Sequence, residues 1–561
     1  MNDANKTRRA SIMIADGRGQ WQLTGPLQRA LAAHKCEVDV SATRNLQGAL
    51  EQLEHTSTIG VVIVNLLFPA GVEGPHLEEP DGGLTIVQAA RHRVRAPSGG
   101  ERATLVVALR QASETHPDLK QEALDAGADL VLEWSDLQPR SEFGGLKQLA
   151  KWIHDELTRN GLIMALPQLT RDDEPGILTA LSDIGEANVS LLISDLAATV
   201  GDVDMAALKY VTPGASGAHV LRAELTLSDG TARTWLLKFA KDADVVRTEL
   251  HNSQKVAGAY ALHLIVEYLP YGPISHGDWH AIAMVFASEA TTLREWLCDP
   301  GAADHVADVL AGLFLERGLA DLYQNRRDGQ PVPAIEGLRL PSYRRLRVRS
   351  TVAELEALLG QVRAVELDDV PAILRTIETF VRSGQIADVV VDDRYGTLET
   401  VPQHGDLHGG NVLVLQGQHP RPCVIDLAAY GWQHWALDVA RLVVDIVMHC
   451  LDPSPESHFW DRWSFWRAVL LRTSSFELAV DDEENAATLV ALQWVGAQRS
   501  ELLPLMTGER RWEWHVALAE QLLRSACRHQ LPTPKRVLGL VGAYDQLQLA
   551  RATMPQPKPT Y

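Results

Sequence analysis

The run His404-Gly405-Asp406-Leu407-His408-Gly409-Gly410-Asn411 places an acid, an amide and two imidazoles on a glycine-rich loop. The apolar pair Val412-Leu413 follows, and across a turn Cys423-Val424-Ile425 leads into Asp426. Asp406, Asn411 and Asp426 are oxygen-bearing side chains spaced 5 and 15 residues apart, two on the loop and one ending a short strand-like run. A carboxylate that orients or deprotonates a hydroxyl, next to further hard oxygen donors, suits a site that holds magnesium against phosphates. A different chemistry is open to the same residues. His404 and His408 are four apart, the spacing of two metal ligands on one helix face of a hydrolase, but the glycines that follow favour a loop.

Such a loop needs elements that carry phosphates to it, and the chain upstream offers them. From Leu208 the pattern is of antiparallel strands. Residues 209–212 lead into Pro213-Gly214-Ala215-Ser216-Gly217-Ala218, residues 219–227 resume the strand, and Ser228-Asp229-Gly230-Thr231 is a hairpin turn signal. Residues 234–239 form a third strand with a single Lys238 inside an apolar run, and a helix over 245–257 carries Glu249. Taken singly, these are a turn, a lysine that reaches the sheet edge, and a surface acid. In this order they are also a glycine loop whose N–H groups approach phosphates, a lysine for the α/β oxygens, and an acid that orients it. Residues 280–286 add a strand, and a helix starts at 292–297.

Residues 300–400 read as mainly helical, over 303–323, 351–362 and 370–381, with the basic cluster Arg344 to Arg349 either a solvated face or a receiver of an anionic substrate. Beyond the loop, Asp438 begins an apolar helix, and others follow over 455–471, 483–494 and 512–527. Trp432, Trp435, Trp460, Trp463, Trp466, Trp494, Trp512 and Trp514 crowd this region as core or cleft lining. The Pro-rich end, 554–559, is not helical.

Residues 10–157 alternate differently, with continuous apolar strands (11–15, 37–40, 59–64, 103–109, 130–132) between amphipathic helices (25–33, 45–54, 84–91, 116–126, 146–157). That pattern implies a parallel sheet covered on both faces. Residues 158–205 contain a boundary at Arg171-Asp172-Asp173-Glu174-Pro175-Gly176 and one or two connecting helices.

Two resemblances attach to these patterns. The first block, in its order, length and Gly127-Ala128-Asp129 turn, resembles the receiver domain of response regulators; a generic flavodoxin-like domain is the plainer reading. The receiver's phosphorylated Asp corresponds to Asn65, its hydroxyl residue to the neighbourhood of Leu109 and its lysine to that of Trp134, while Asp16 remains of the acidic cluster. An amide cannot form an acyl phosphate, so a degenerate module for docking or dimerisation is implied. The stretch 404–413 resembles the catalytic loop of aminoglycoside phosphotransferases and choline kinases, and Ile425-Asp426 with Asp438-Val439-Ala440 resembles their second signature. Ternary complex-associated kinase-like domains, fused in bacteria to signalling or conflict modules, are a finer placement within that resemblance.

The resemblance implies an α/β receiver-like domain followed by an α+β bilobal protein kinase-like domain. The expected division is 1–157 receiver-like, 158–205 helical linker, 206–290 N-lobe, 291–545 helical C-lobe and 546–561 mobile tail. It also implies roles. Asp406 is the catalytic base, His404 braces the loop, and Asn411 and Asp426 hold Mg2+. Gly214, Ser216 and Gly217 form the ATP phosphate loop, Lys238 meets the α/β-phosphates, Glu249 pairs with that lysine, and Asp438 ties the loop from behind. The glycine loop is short and contains Pro213.

Composition sets the outer limits. With 561 residues the chain exceeds one core. A net charge of −20, from 72 acidic and 52 basic residues, argues against a nucleic-acid partner. Five scattered cysteines without a CxxC pair argue against zinc ribbons and disulfide frameworks. Without an apolar span long enough for a membrane, a cytoplasmic location is expected. The function expected is transfer of a phosphoryl group from ATP to a hydroxyl of a small-molecule or protein acceptor. The competing reading is a non-catalytic nucleotide-binding scaffold for signalling.

Overall fold

The computed structural model describes residues 8–16, 23–32, 37–55, 59–67, 81–92, 104–110, 118–138, 144–159, 164–165, 167–171, 174–197, 200–211, 218–259, 264–269, 272–276, 278–286, 290–339, 345, 348, 350, 354, 356, 370–451, 460–478 and 482–557. The chain forms two compact units, Met1–Arg247 with Glu267–Phe286, and Thr248–Val266 with Ala287–Tyr561.

The first unit begins with β1 (Arg8–Ala15), α1 (Thr24–Ala32), β2 (Glu37–Thr43), α2 (Leu46–His55), β3 (Ile59–Asn65), α3 (Asp81–His92), β4 (Leu105–Arg110), α4 (Leu119–Asp125), β5 (Leu130–Glu133) and α5 (Gly145–Arg159). The strands pair in parallel in the order β2-β1-β3-β4-β5, the order of a doubly wound flavodoxin-like sheet. The short β6 (Met164–Ala165) pairs antiparallel with the start of β1. Successive side chains of a strand face opposite ways, so both faces must be covered to bury an unbroken apolar run. Ile12 and Ile14 pack with Leu27, Leu149 and Ile153 on one face, while Met13 and Ala15 pack with Leu53, Ile86 and Val87 on the other. Asp16 and Asn65 lie buried at the strand ends. Asn65 Nδ2 donates to Asp16 Oδ1 at 3.3 Å, and its Oδ1 accepts the Leu67 N–H at 3.1 Å.

A second sheet in this unit holds β7 (Gln168–Arg171), β8 (Val203–Val211), β9 (His219–Leu227), β10 (Ala232–Ala240), β11 (Ile274–His276) and β12 (Trp279–Val285), in the order β11-β12-β10-β9-β8-β7. All pairs are antiparallel except β7 with β8. Residues 158–205 contribute β7 and two helices, α6 (Pro175–Ile184) and α7 (Glu186–Ala197). Ile177, Leu181, Leu192 and Leu196 of these helices pack on Leu221, Leu237 and Phe239 of the sheet. His276 Nε2 meets Asp195 at 2.8 Å and ties β11 to α7. Among the described residues no single helix is long and apolar enough to cross a membrane, and α6 and α7 pass that test only as a pair bent by 85°. The next helix, α8 (Ala243–Ala259), carries the chain into the second unit.

The second unit contains two three-stranded sheets, β13 (Ala290–Thr292) with β16 (Val412–Leu415) and β17 (Arg421–Val424), and β14 (Arg327–Pro333) with β15 (Thr397–Gln403) and β18 (Gly431–His434). Around them lie α9 (Leu293–Leu297), α10 (Val306–Phe314), α11 (Leu319–Tyr323), α12 (Val370–Ser383), α13 (Leu437–His449), α14 (Trp463–Ser475), α15 (Ala486–Ala497), α16 (Arg511–Ala526) and α17 (Thr533–Thr553). Trp435, Trp466, Trp512 and Trp514 are buried in one apolar core, whereas Trp432 is exposed. The tail expected from residue 546 is corrected. α17 continues to Thr553 because Leu547 and Ala550 bury against the core. The helix expected over 351–362 lies mostly outside the described residues, as does the basic cluster apart from Arg345 and Val348.

Candidate active site

β15 delivers the chain to the loop at Gln403, whose amide is buried and used at both ends. Its Nε2 donates to Trp435 O at 2.7 Å, and its Oε1 accepts the Asp438 N–H at 3.0 Å. Gly405 then turns with φ 82°, and a Cβ there would lie 2.2 Å from Ala429 O. Only glycine fits, because the turn after Asp426 packs directly on it. Asp426 itself is left-handed at φ 61°, ψ 66°, a conformation Asp tolerates better than most residues. Two hydrogen bonds stitch the three oxygen-bearing residues together. Asn411 Nδ2 donates to Asp406 O at 3.0 Å, and the Ile425 N–H, one residue before Asp426, donates to Asn411 O at 3.0 Å.

Behind the loop runs α13, and three of its residues fall on one face at i, i+3 and i+7. Asp438 accepts the His404 N–H at 2.7 Å, the Gly405 N–H at 2.9 Å and the Tyr323 hydroxyl at 3.1 Å. Arg441 Nη2 lies 2.5 Å from Asp406 Oδ1. Asp445 accepts the Gly409 N–H at 2.9 Å and is paired with Arg294 of α9 at 2.7 Å. Burial pushes the Asp438 carboxyl up, and its three donors only partly reverse this. Burial also raises Asp445, but Arg294 and His408 outweigh it and leave the group at about 2.

His404 is held at both ring nitrogens. Its Nε2 faces the Ile425 carbonyl at 2.9 Å, which can only accept, and its Nδ1 faces the Asp406 N–H at 3.2 Å, which can only donate. His408 accepts the Gly410 N–H on Nδ1 at 3.1 Å and presents Nε2 3.7 Å from Asp406 Oδ2. Burial takes His408 down to about 4, so it is neutral at physiological pH. The alternative in which His404 and His408 ligate a metal fails here, since both nitrogens of His404 are committed. Among the described residues no three His, Cys, Asp or Glu side chains group to hold a metal ion. Asp406 also receives Arg524 Nη2 of α16 at 3.0 Å. Burial raises the Asp406 carboxyl, but Arg441 and the neighbouring histidines outweigh it and the net shift is downward.

The remaining expected residues are distributed as follows. Lys238 is buried on β10, between Val220 of β9 and Ile282 of β12 in the register. It shares its strand face with Ala240, which packs against Ala218, Val246 and Ile282. Glu249 is buried on the part of α8 that belongs to the second unit. Gly214, Ser216 and Gly217 lie outside the described residues.

Sequence reasoning assigned no role to Asn252, one turn after Glu249 on α8. Its Nδ2 donates to Leu427 O at 2.9 Å and also reaches Tyr430 O at 3.4 Å, clamping the turn after Asp426. Arg294, Arg441, Asp445 and Arg524 were missed as well. The 3- and 7-residue spacing of Asp438, Arg441 and Asp445 in an otherwise apolar helix was the available signal.

Residues 211–472 match the phosphotransferase enzyme family. The chain is a phosphotransferase of the kinase kind, acting on hydroxyl groups. The curated proteins hold no match to it. Solved structures similar to it include an ethanolamine kinase from Plasmodium vivax, 13% identical, covering 62% of this chain and 83% of its own at TM-score 0.26. An aminoglycoside phosphotransferase from Alicyclobacillus acidocaldarius is 14% identical, with 62% and 90% covered at TM-score 0.29. Another from Streptomyces rimosus is 18% identical, with 55% and 99% covered at TM-score 0.26.

Proposed function

We propose that the chain transfers the γ-phosphoryl group of ATP to a hydroxyl, with Asp406 as the catalytic residue. The observation that carries this reading is the set Asp406 and Asn411, on a loop held at both ends by α13, stitched to the Ile425–Asp426 segment. Asp406 is ionised at neutral pH, so it orients the acceptor hydroxyl. It takes the proton as the new P–O bond forms and the bond to the nucleoside diphosphate breaks. His404, bonded at both ring nitrogens, fixes the Asp406 backbone. Lys238 is assigned to the α/β-phosphates, Glu249 to pairing with that lysine, and Gly214, Ser216 and Gly217 to the phosphate loop.

The donor set fits magnesium. Asn411 commits its Nδ2 to Asp406 O, which leaves its side-chain oxygen for a cation. Asp426 is half-buried on a left-handed turn, and an amide and a carboxylate oxygen are the hard donors this ion takes. When bound, magnesium would neutralise charge on the transferring phosphates.

In the same reading residues 1–157 are a receiver-like module whose phosphorylatable acid is replaced by Asn65. It serves docking or self-association in a cytoplasmic signalling protein. A linker over 158–205, an N-lobe over 206–290 and a C-lobe from 291 through α17 follow.

The second reading, a non-catalytic nucleotide-binding scaffold, is favoured by one observation. Oδ1 of Asp406 is already engaged by Arg441 and Arg524. Magnesium-dependent ATP turnover in wild type and Asp406→Ala separates the two. A fall of about 10²- to 10⁴-fold supports the catalytic role; equal rates refute it.

A further inference from the structure

The reading above puts the acceptor hydroxyl at Asp406, and the surroundings of that carboxylate say what else the acceptor carries. Arg441 and Arg524 reach Asp406 Oδ1 from α13 and α16, at 2.5 and 3.0 Å. Arg528, one turn after Arg524, places Nη1 3.4 Å from His449 Nε2. Arg294 stands on Asp445. Four guanidiniums therefore gather around two carboxylates, Asp406 and Asp445. The two imidazoles between them, His408 and His449, add no negative charge.

This excess of positive charge is partly buried in a chain whose overall charge is −20, so it is not a background property of the surface. It is also imperfectly satisfied. Arg441 is 5% exposed, and among the described residues its Nε has no hydrogen-bond acceptor. Burial, and then the charge of Arg441, lower the Arg528 guanidinium below its ordinary value. A buried cation without a full complement of acceptors is costly unless an anion completes it. The site stays open to one, since the Asp406, His408, Arg524 and His449 side chains keep 22%, 18%, 16% and 17% exposure.

We infer that the acceptor is an anionic hydroxyl compound, whose phosphate or carboxylate group is received by Arg524 and Arg528 while its hydroxyl faces Asp406. Arg441 and Arg524 meet the side chain of Asp406, and Arg528 follows one turn after Arg524. Asn411 meets the Asp406 backbone carbonyl, so the anion lies on the acceptor side rather than on the metal side. The parallel N–H donors of a guanidinium suit the planar or tetrahedral oxygens of such a group. A cationic acceptor would meet like charge here.

The test is calorimetric titration of the full chain, with magnesium and a non-hydrolysable ATP analogue present. The probes are glycerol 3-phosphate, glycerol and choline, and the proteins are wild type, Arg524→Gln, Arg528→Gln and Arg528→Lys. Loss of one charge-assisted contact is expected to weaken glycerol 3-phosphate binding by about tenfold or more in each glutamine variant. Arg528→Lys should retain part of the affinity, and glycerol and choline should bind at least tenfold more weakly than glycerol 3-phosphate. Choline binding as tightly as glycerol 3-phosphate overturns the inference, as does an affinity unchanged in both glutamine variants. So does weaker binding of the nucleotide analogue alone in those variants. Failure of wild type to bind the analogue refutes the phosphotransfer reading instead, and glycerol 3-phosphate then still reports on the arginines.

Discussion

Replacing Asp438 by asparagine changes one atom and tests how the loop is held. The carboxylate, 1% exposed, accepts from His404 N–H, Gly405 N–H and the Tyr323 hydroxyl. An asparagine offers one oxygen and one NH2 in the same space. If the oxygen keeps the side of His404 and Tyr323, the NH2 faces the Gly405 N–H, donor against donor. A buried donor left without a partner costs about 1–3 kcal/mol. Part of that is recovered, because burial pushes the Asp438 carboxyl up and a neutral amide escapes this penalty. A local loss of about 1–2 kcal/mol is expected, which is about tenfold faster amide exchange at residues 404–406. The effect on catalysis should be larger than on nucleotide binding. Gly405 and Asp406 lose their pin, and a displacement of about 1 Å at a reacting group lowers kcat about a hundredfold. Hydrogen exchange of the 400–412 segment and steady-state kinetics read the two effects. Faster exchange with an unchanged kcat would refute the idea that Asp438 positions the catalytic residue. Unchanged exchange would refute the brace itself.

Three further outcomes are expected. Gly405→Ala puts a Cβ 2.2 Å from Ala429 O at φ 82°, so thermal denaturation should report a loss of about 2 kcal/mol or more, with activity abolished. His515, buried on α16 and bonded to Gln546 at 2.8 Å, is lowered by burial from 6.5 to about 4. The unfolded chain takes up that proton below about pH 6.5 and the folded chain does not until about pH 4. Stability is therefore full above about pH 6.5 and falls through this window by about 3 kcal/mol from this group. Urea midpoints measured on either side of about pH 6.5 should differ less in His515→Gln than in wild type; an equal difference in both proteins counts against this assignment. In the first unit, Asn65→Asp sets a second carboxylate about where the amide now lies, 3.3 Å from Asp16 Oδ1. Melting in chelator should show a loss of about 1–3 kcal/mol, and added magnesium should restore part of it.

The doubly wound sheet was legible because strands buried on both faces cannot alternate, and β1, β3 and β4 are written as unbroken apolar runs. The loop was legible because its acid, amide and glycines are consecutive. The rest of the site was not, since its partners come from distant sequence: Arg294 reaches Asp445 across 151 residues and Arg524 reaches Asp406 across 118. α17 escaped for a related reason. Its buried face includes Lys535, Arg536 and Gln546, satisfied in part by Leu451 O, Glu354 and His515, so polar residues interrupt its apolar stripe.

The helix behind the loop explains why brace and charge occur together. Seven residues span about two turns and about 10 Å of helix, so Asp438 and Asp445 stand on one face at the separation of the two ends of the loop. Each end offers backbone N–H groups, at His404 and Gly405 and again at Gly409, and each takes a carboxylate. The residue one turn in from Asp438 necessarily faces the middle of the loop, where Asp406 is. An anion there would repel Asp406; an apolar residue would leave it unpaired. Arg441 holds Asp406 ionised and in place, and it does so by importing a buried positive charge. Arg524 and Arg528 then add to that charge without adding acceptors, which structural support alone does not require.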